Sequence, residues 1–216
     1  MAEVRYSGLT DGSVPLVVSE NGETVNMNKE GTATFSFVGA DVSIGVQEGQ
    51  MHTYKSTRGV VRAPHGAKVL PYFMRGGEWH VVMVEQFRIA LPGKTIEPVG
   101  GEVYEETPKQ SMVRELEEEA HIVVRSEDVD VVYILYILPS MMRSKVFGGI
   151  VKIDESQLPL EIVGGEWSLG EYTVVGTYKL LDLLRSRDDM SWISDIETYL
   201  LLDAVAKKVG LLAKLY

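Results

Sequence analysis

The sequence has no cysteine, which excludes disulfide bridges, zinc–thiolate sites and thiol nucleophiles. It also lacks a long hydrophobic run. The longest apolar stretch, VVYILYIL at 131–138, is too short to span a bilayer and is typical of a buried strand. The first residues show no basic region followed by an apolar one. We therefore expect no signal peptide and a cytoplasmic location, with which the absence of cysteine is compatible.

The sequence also has fewer basic than acidic side chains. The chain has 21 Lys and Arg against 31 Asp and Glu, a net charge of −10. Binding to a nucleic-acid backbone depends on clustered Lys and Arg, so we expect no nucleic-acid partner. A small phosphorylated ligand is compatible with this charge if a metal cation lies between the ligand and the protein.

The pattern of turns and apolar residues predicts a β-rich segment at 1–57, with strands at 33–38 and 41–46, followed by a main domain at 58–216. In the main domain we predict strands on either side of a turn at Arg75–Glu78, and further strands at 129–138, 145–153 and 172–178. Helices are predicted at about 108–120, 179–186 and 191–209. The mixture is α/β or α+β, with helices packed on a mostly central sheet.

The last helix is predicted to begin at Ser191 and to end near Gly210. Its apolar residues recur at helical spacing and predict one buried face, made of Ile193, Ile196, Leu200, Leu201, Ala204 and Val205.

The helix at 108–120 carries the sequence ETPKQSMVRELEEE at its start and along its length. Thr107 suits the N-cap, Pro108 suits the first helical position, and Gln110 completes a capping box. The apolar residues at three- and four-residue spacing predict the buried stripe; they are Met112, Val113, Leu116 and Ala120.

Three glutamates, Glu115, Glu118 and Glu119, share the other side of this helix. Two carboxylates ~5.5 Å apart repel by roughly 3 kcal/mol at an effective dielectric constant near 20. Arg114 can pair with one of these glutamates but not with three. If the face is partly enclosed, Mg²⁺ or Mn²⁺ is the natural counter-charge, because hard cations prefer oxygen ligands. The competing interpretation is an acidic helix face that is simply solvated.

From Gly100 the chain reads GGEVYEETPKQSMVRELEEEAHI, which resembles the signature of the Nudix hydrolases, Gly-x5-Glu-x7-Arg-Glu-U-x-Glu-Glu-x-Gly-U, where U is a bulky aliphatic residue. The matching glycine and polar positions are Gly100, Glu106, Arg114, Glu115, Glu118 and Glu119. His121 stands where the signature has its final glycine. That position ends the helix in a left-handed conformation, so we interpret His121 as a poorer helix cap without a catalytic role.

The resemblance implies an α/β/α sandwich around a mixed sheet, and hydrolysis of a nucleoside diphosphate linked to another group. It implies that Glu115, Glu118 and Glu119 bind divalent cations, together with the main-chain carbonyl near Val99. It also implies that Arg114 holds a glutamate in place, and that Glu106 is structural.

Within that family, VEQFRIA at 84–90 and the stretch leading into it are similar to the ADP-ribose pyrophosphatase branch. This similarity implies substrate contacts from Arg88, with Glu85 and Arg58 as weaker candidates. In this branch a loop glutamate often takes the proton from water, which favours Glu171 here, with Glu166 as the second candidate.

The sequence is compatible with more than one substrate. The loop after Pro139 reads LPSMMRSK and lacks the glycine pair of the branch, so another nucleoside diphosphate sugar suits it as well as ADP-ribose does. A Nudix hydrolase for GDP-mannose or a dinucleoside polyphosphate is also compatible with the sequence, and so is a non-catalytic nucleotide sensor. The branch often dimerises through its N-terminal segment, so we expect a homodimer, with no membrane partner.

Overall fold

The computed structural model describes residues 3–6, 16–20, 40–46, 50–56, 64–87, 94–137, 144–159, 173–186 and 195–212. The chain divides into two compact units. The first contains residues 1–64 and 136–144, and the second contains residues 65–135 and 145–216.

The described residues of the N-terminal part of the chain form a four-stranded antiparallel sheet in the order β1-β2-β3-β4. Its strands are β1 (Glu3–Tyr6), β2 (Leu16–Glu20), β3 (Ala40–Val46) and β4 (Gln50–Ser56). The prediction of a strand at 41–46 is confirmed by β3. The other strand predicted in this segment, 33–38, lies outside the described residues.

Within the described residues, the second sheet is mixed and has seven strands, in the order β11-β6-β5-β10-β9, with β7 paired to β6 and β8 paired to β5. The strands are β5 (His65–Arg75), β6 (Glu78–Phe87), β7 (Lys94–Glu97), β8 (Val99–Val103), β9 (Asp130–Ile137), β10 (Ser144–Lys152) and β11 (Thr173–Lys179). The helices are α1 (Pro108–Ala120), α2 (Leu180–Arg185) and α3 (Ile196–Lys208). Strand β10 runs parallel to β5, whereas β6 and β8 run antiparallel to it. The expected class, a mixture of helices with a mixed sheet, is confirmed.

The turn between β5 and β6 is formed by two glycines, as the sequence predicts. Gly76 and Gly77 have φ values of 58° and 82°, and Arg75 pairs with Glu78 across the turn. Two central residues with positive φ give a tight hairpin whose twist matches that of the strands.

Side chains alternate along the central strands and build two cores. On β5, Val69 belongs to a core with Met112 and Leu116 of α1. Its neighbour Leu70 belongs to a core with α2 and α3, which includes Leu201. Helix α1 therefore covers one face of the sheet, and α2 and α3 cover the other.

Helix α1 begins and ends where the sequence predicts. The Thr107 side chain accepts from the Gln110 amide, and the Gln110 side chain accepts from the Thr107 amide, so the capping box is complete. Met112 and Leu116 are fully buried, and Val113 is half-buried. Local chemistry thus accounts for the start of this helix.

The expectation that 131–138 is a buried strand is wrong as to burial. Residues 131–137 do lie in β9, but Ile134 and Tyr136 are 56% and 58% exposed, and Leu138 lies outside the described residues. The reason is its position, since β9 stands last in the strand order of the sheet. Hydrophobicity of a short run does not distinguish a central strand from a terminal one.

The predictions for the last helix need two corrections. The helix begins at Ile196 rather than Ser191, because Asp195 is extended and its side chain accepts from the Thr198 amide as an N-cap. The buried face is also rotated from the prediction. Ile196 is 60% exposed, while the buried residues are Glu197, Thr198, Leu201, Leu202, Val205 and Ala206. Ile193 lies outside the described residues.

His121 ends α1 in the left-handed conformation, with φ 53° and ψ 32°. It alone among the described non-glycine residues has a positive φ. Its amide and that of Ile122 both donate to the Leu116 carbonyl, which closes the helix.

We expect His121→Gly to raise the free energy of unfolding by about 0.5–1 kcal/mol, because glycine adopts this conformation without a Cβ clash. Chemical denaturation at neutral pH measures the change. His121→Ala is the matched control, since it removes the imidazole but keeps the Cβ. Equal stabilisation by both substitutions would contradict the strain argument.

No helix in the described part of the chain is long and apolar enough to cross a bilayer.

Candidate functional site

The guanidinium of Arg114 lies at the centre of the acidic face of α1. Its Nη1 donates to Glu115 at 2.7 Å and to Glu118 at 2.9 Å, and its Nε and Nη2 donate to Glu106 at 3.0 and 2.9 Å. The guanidinium also lies 5.1 Å from the centre of the Tyr104 ring. The sequence predicts that Arg114 can pair with one glutamate of the face but not with three. The forked donors of Arg114 reach two of the three, Glu115 and Glu118, and Glu106 as well.

The same arginine joins α1 to strand β8. Its Nη2 donates to the Glu102 carbonyl at 3.0 Å, and the buried Ser111 hydroxyl donates to that carbonyl at 3.1 Å. Two side chains one turn apart on the helix therefore hold the same peptide of β8. Glu106 contacts the arginine that makes one of these contacts, and its structural role stays a prediction.

Glu115 is the buried member of the acidic face. Its side chain is 10% exposed, whereas the side chain of Glu118 is 58% exposed. Burial raises the pKa of Glu115, the ion pair with Arg114 opposes that rise, and the charges of Glu118 and Glu106 add to it; the net shift is upward. A second positive charge near Glu115 would favour its ionised form.

Glycines bring β8 against both β5 and the acidic helix. A Cβ on Gly101 would overlap the Glu115 carboxylate, and a Cβ on Gly100 would lie 2.9 Å from Lys68 Cα. The Gly100 amide donates to the Glu119 carboxylate at 3.2 Å. Val99, buried on β8, directly precedes this amide. The Gly100 amide of β8 and the carboxylates of α1 thus converge on one place.

The donor set suits a hard divalent cation. Glu115, Glu118, Glu119 and the Val99 carbonyl offer only oxygen atoms, which are the ligands that Mg²⁺ and Mn²⁺ prefer. In the described ranges, no group of three or more His, Asp or Glu side chains has an arrangement that would hold a metal ion. The position between Glu115 and Glu118 is taken by Arg114 Nη1. The residues fit the cation in chemistry, while two carboxylate oxygens are engaged by the arginine.

Of the remaining predicted site residues, only Glu85 lies within the described part of the chain. This residue is half-buried on β6, paired with Val174 of β11 and Ile96 of β7. It lies close enough to Tyr178 that its charge adds to the effect of burial in raising the pKa of that phenol. Its contact with a substrate stays a prediction. The other predicted contacts and bases lie outside the described residues; they are Arg58, Arg88, Glu166 and Glu171.

Sequence reasoning missed a second charged cluster, around Lys68. The ammonium lies 3.2 Å from Glu97, 2.9 Å from Asp195 and 3.1 Å from Glu197. The available signal was a lysine between Ala67 and Val69, within the largely apolar middle of the strand. A charge at such a position needs partners when it is buried. Nothing local in the sequence identifies partners 29 and 127 residues away.

No protein-family model matches the chain, and a search of curated proteins finds no significant match.

Proposed function

We propose that this chain is a Mg²⁺- or Mn²⁺-dependent hydrolase of the Nudix type, which cleaves the diphosphate linkage of a nucleoside diphosphate joined to another group. ADP-ribose and related nucleoside diphosphate sugars are the substrates we favour. The observation that carries the proposal is the convergence of Glu115, Glu119 and the Gly100 peptide on one acidic face. The sequence signature falls on these same residues. The layered sheet with α1 on one face is compatible with the sandwich that the signature implies.

In the proposed reaction each protein group has a role that follows from its chemistry. Glu115, Glu118, Glu119 and the Val99 carbonyl would hold the cation. A bound divalent cation supplies neutralisation of the phosphate charges and a more acidic water. Arg114 orients Glu115 and Glu118 through charge-assisted hydrogen bonds.

The Gly100 amide orients Glu119. In the proposed reaction Glu171, or Glu166 as the second candidate, accepts the proton of the attacking water. Arg88, Glu85 and Arg58 would contact the nucleotide. A homodimer built through the N-terminal segment is part of the same proposal.

A nucleotide sensor without catalysis is the second candidate function. The observation that favours it is that Arg114 already compensates Glu115 and Glu118 within the described structure. Arg114 therefore compensates part of the charge of this face without a cation.

The test is a panel of ADP-ribose, GDP-mannose and a dinucleoside polyphosphate, incubated with the full chain and Mg²⁺. Products with a terminal phosphate are converted by added phosphatase to inorganic phosphate, which is measured. We expect metal-dependent phosphate release from at least one compound, with ADP-ribose or another nucleoside diphosphate sugar preferred. Binding without release across the panel would support the sensor and contradict the hydrolase.

A further inference from the structure

The Lys68 cluster lies on the other side of the sheet from the acidic helix. On β5, Ala67 and Val69 point into the core shared with α1. Lys68 alternates with them, and its ammonium contacts Asp195 and Glu197 at the start of α3. The cluster is therefore separate from the proposed metal ligands and is joined to them through the strands.

The ammonium of Lys68 lies near the point where the chain passes from β7, which pairs with β6, to β8, which pairs with β5. Strand β5 pairs with β6 over Tyr72–Arg75 but with β8 over His65–Val69. Strand β7 continues along β6, so that Glu97 pairs with Val84. The chain crosses from one pair to the other at Pro98, between Glu97 on β7 and Val99 on β8.

Lys68 holds both sides of this crossing. Its side chain donates to Glu97 Oε2 at 3.2 Å. Its backbone is the register partner of Gly100, and the two strands approach so closely there that a Cβ on Gly100 would lie 2.9 Å from Lys68 Cγ. One residue thus fixes the segment before Val99 by charge and the segment after it by backbone pairing.

Further hydrogen bonds hold two of the carboxylates that contact Lys68. The other Glu97 oxygen accepts from the Thr95 hydroxyl at 2.6 Å. Asp195 uses one oxygen to cap α3 and the other to accept from Lys68. Burial lowers the pKa of Lys68, but the three carboxylates together outweigh it and the pKa lies above its usual value. Lys68 therefore stays charged across the physiological range.

We propose that Lys68 and Glu97 are positioning residues for the acidic site, because their ion pair sets the place of the Val99 carbonyl and of the Gly100 amide that holds Glu119. The inference rests on the proposed function for its catalytic meaning. The geometric part, a link from the Lys68–Glu97 pair to the Gly100 amide, stands on the described contacts alone.

The experiment uses Glu97→Gln in the full chain. Glutamine keeps the size of the side chain and an oxygen that accepts a hydrogen bond, but it removes the charge that fixes Lys68. We expect the affinity for Mn²⁺, measured by titration calorimetry, to fall about 10-fold, as is common when a group supporting a metal ligand is changed. In the ¹H–¹⁵N spectrum of the metal-free protein, the Gly100 amide should shift, because its distance to the Glu119 carboxylate changes.

Two further variants separate positioning from general stability. Lys68→Arg keeps the charge and should keep the Mn²⁺ affinity within about 3-fold of wild type. Lys179→Met removes an exposed ion pair with Glu78, 2.7 Å long, and should change neither Mn²⁺ affinity nor the Gly100 signal. A positioning role predicts weakened metal binding at temperatures well below the melting point. A purely structural role would lower the melting temperature and leave metal affinity unchanged.

Failure of the positioning role and failure of the proposed function give different results in this experiment. Wild-type affinity for Mn²⁺ together with an unshifted Gly100 amide in Glu97→Gln would overturn the positioning role. If the wild-type chain itself takes up no Mn²⁺, the proposed function is overturned, and the Gly100 shift still decides whether the Lys68–Glu97 pair positions that amide.

Discussion

Glu119→Gln should lower the rate of diphosphate hydrolysis at least about 100-fold while leaving the free energy of unfolding within about 1 kcal/mol of wild type. The carboxylate of Glu119 accepts from the Gly100 amide at 3.2 Å. The oxygen of a glutamine side chain can accept the same bond, so the local structure persists. What the substitution removes is the negative charge that the proposed cation requires. Steady-state kinetics with saturating Mg²⁺ and the best substrate of the panel measure the effect.

Glu117→Gln is the matched control for this experiment. Glu117 belongs to the same helix, and it is exposed. The substitution makes the same change in net charge two residues away, outside the predicted ligand set. We expect wild-type rates for Glu117→Gln. A Glu119→Gln enzyme as active as the control would remove Glu119 from the catalytic site.

Gly100→Ala should destabilise the fold by about 3 kcal/mol and abolish metal uptake. A Cβ at this position would overlap the Ala67 carbonyl oxygen and lie 2.9 Å from Lys68 Cα. Both are backbone atoms in the centre of the sheet, so they cannot move aside as a flexible side chain would. Relief of the clash requires β8 to move away from β5, and the amide that holds Glu119 would move with it. Urea denaturation gives the loss of stability, and calorimetry gives the loss of metal uptake.

Gly66→Ala controls for the general effect of replacing a strand glycine. A Cβ on Gly66 would meet Val146 Cγ2 at 3.4 Å, which is ordinary contact. We expect a change within about 1 kcal/mol, in either direction, because alanine also restricts the unfolded chain. Similar losses for the two variants would contradict the close approach of β8 to β5.

The parts of the fold that the sequence predicts well depend on neighbours along the chain. Thr107, Pro108 and Gln110 determine the start of α1 within one turn, and each acts on a backbone group at most three residues away. The hairpin at Gly76 and Gly77 is equally local, because positive φ at both positions permits few other turns.

The parts that the sequence does not predict depend on contacts between distant segments. The face of α3 is set by its packing on β5 and by Asp195, whose partner Lys68 is 127 residues away. Burial of β9 depends on where it stands in the sheet rather than on its own residues. In the acidic site, the spacing of the glutamates was readable from the sequence. The reach of Arg114 to Glu106, Glu115 and Glu118 was not, because it depends on the conformation of the arginine side chain and on the fold of the segment before the helix.

The central claim is that the acidic face of α1 takes up a divalent cation. Titration calorimetry of the native chain with Mg²⁺ and with Mn²⁺, alone and in the presence of a nucleoside diphosphate, tests it most directly. We predict saturable uptake that is strongly weakened in Glu119→Gln and unchanged in Glu117→Gln. Absence of uptake by the native chain under every one of these conditions would contradict the account.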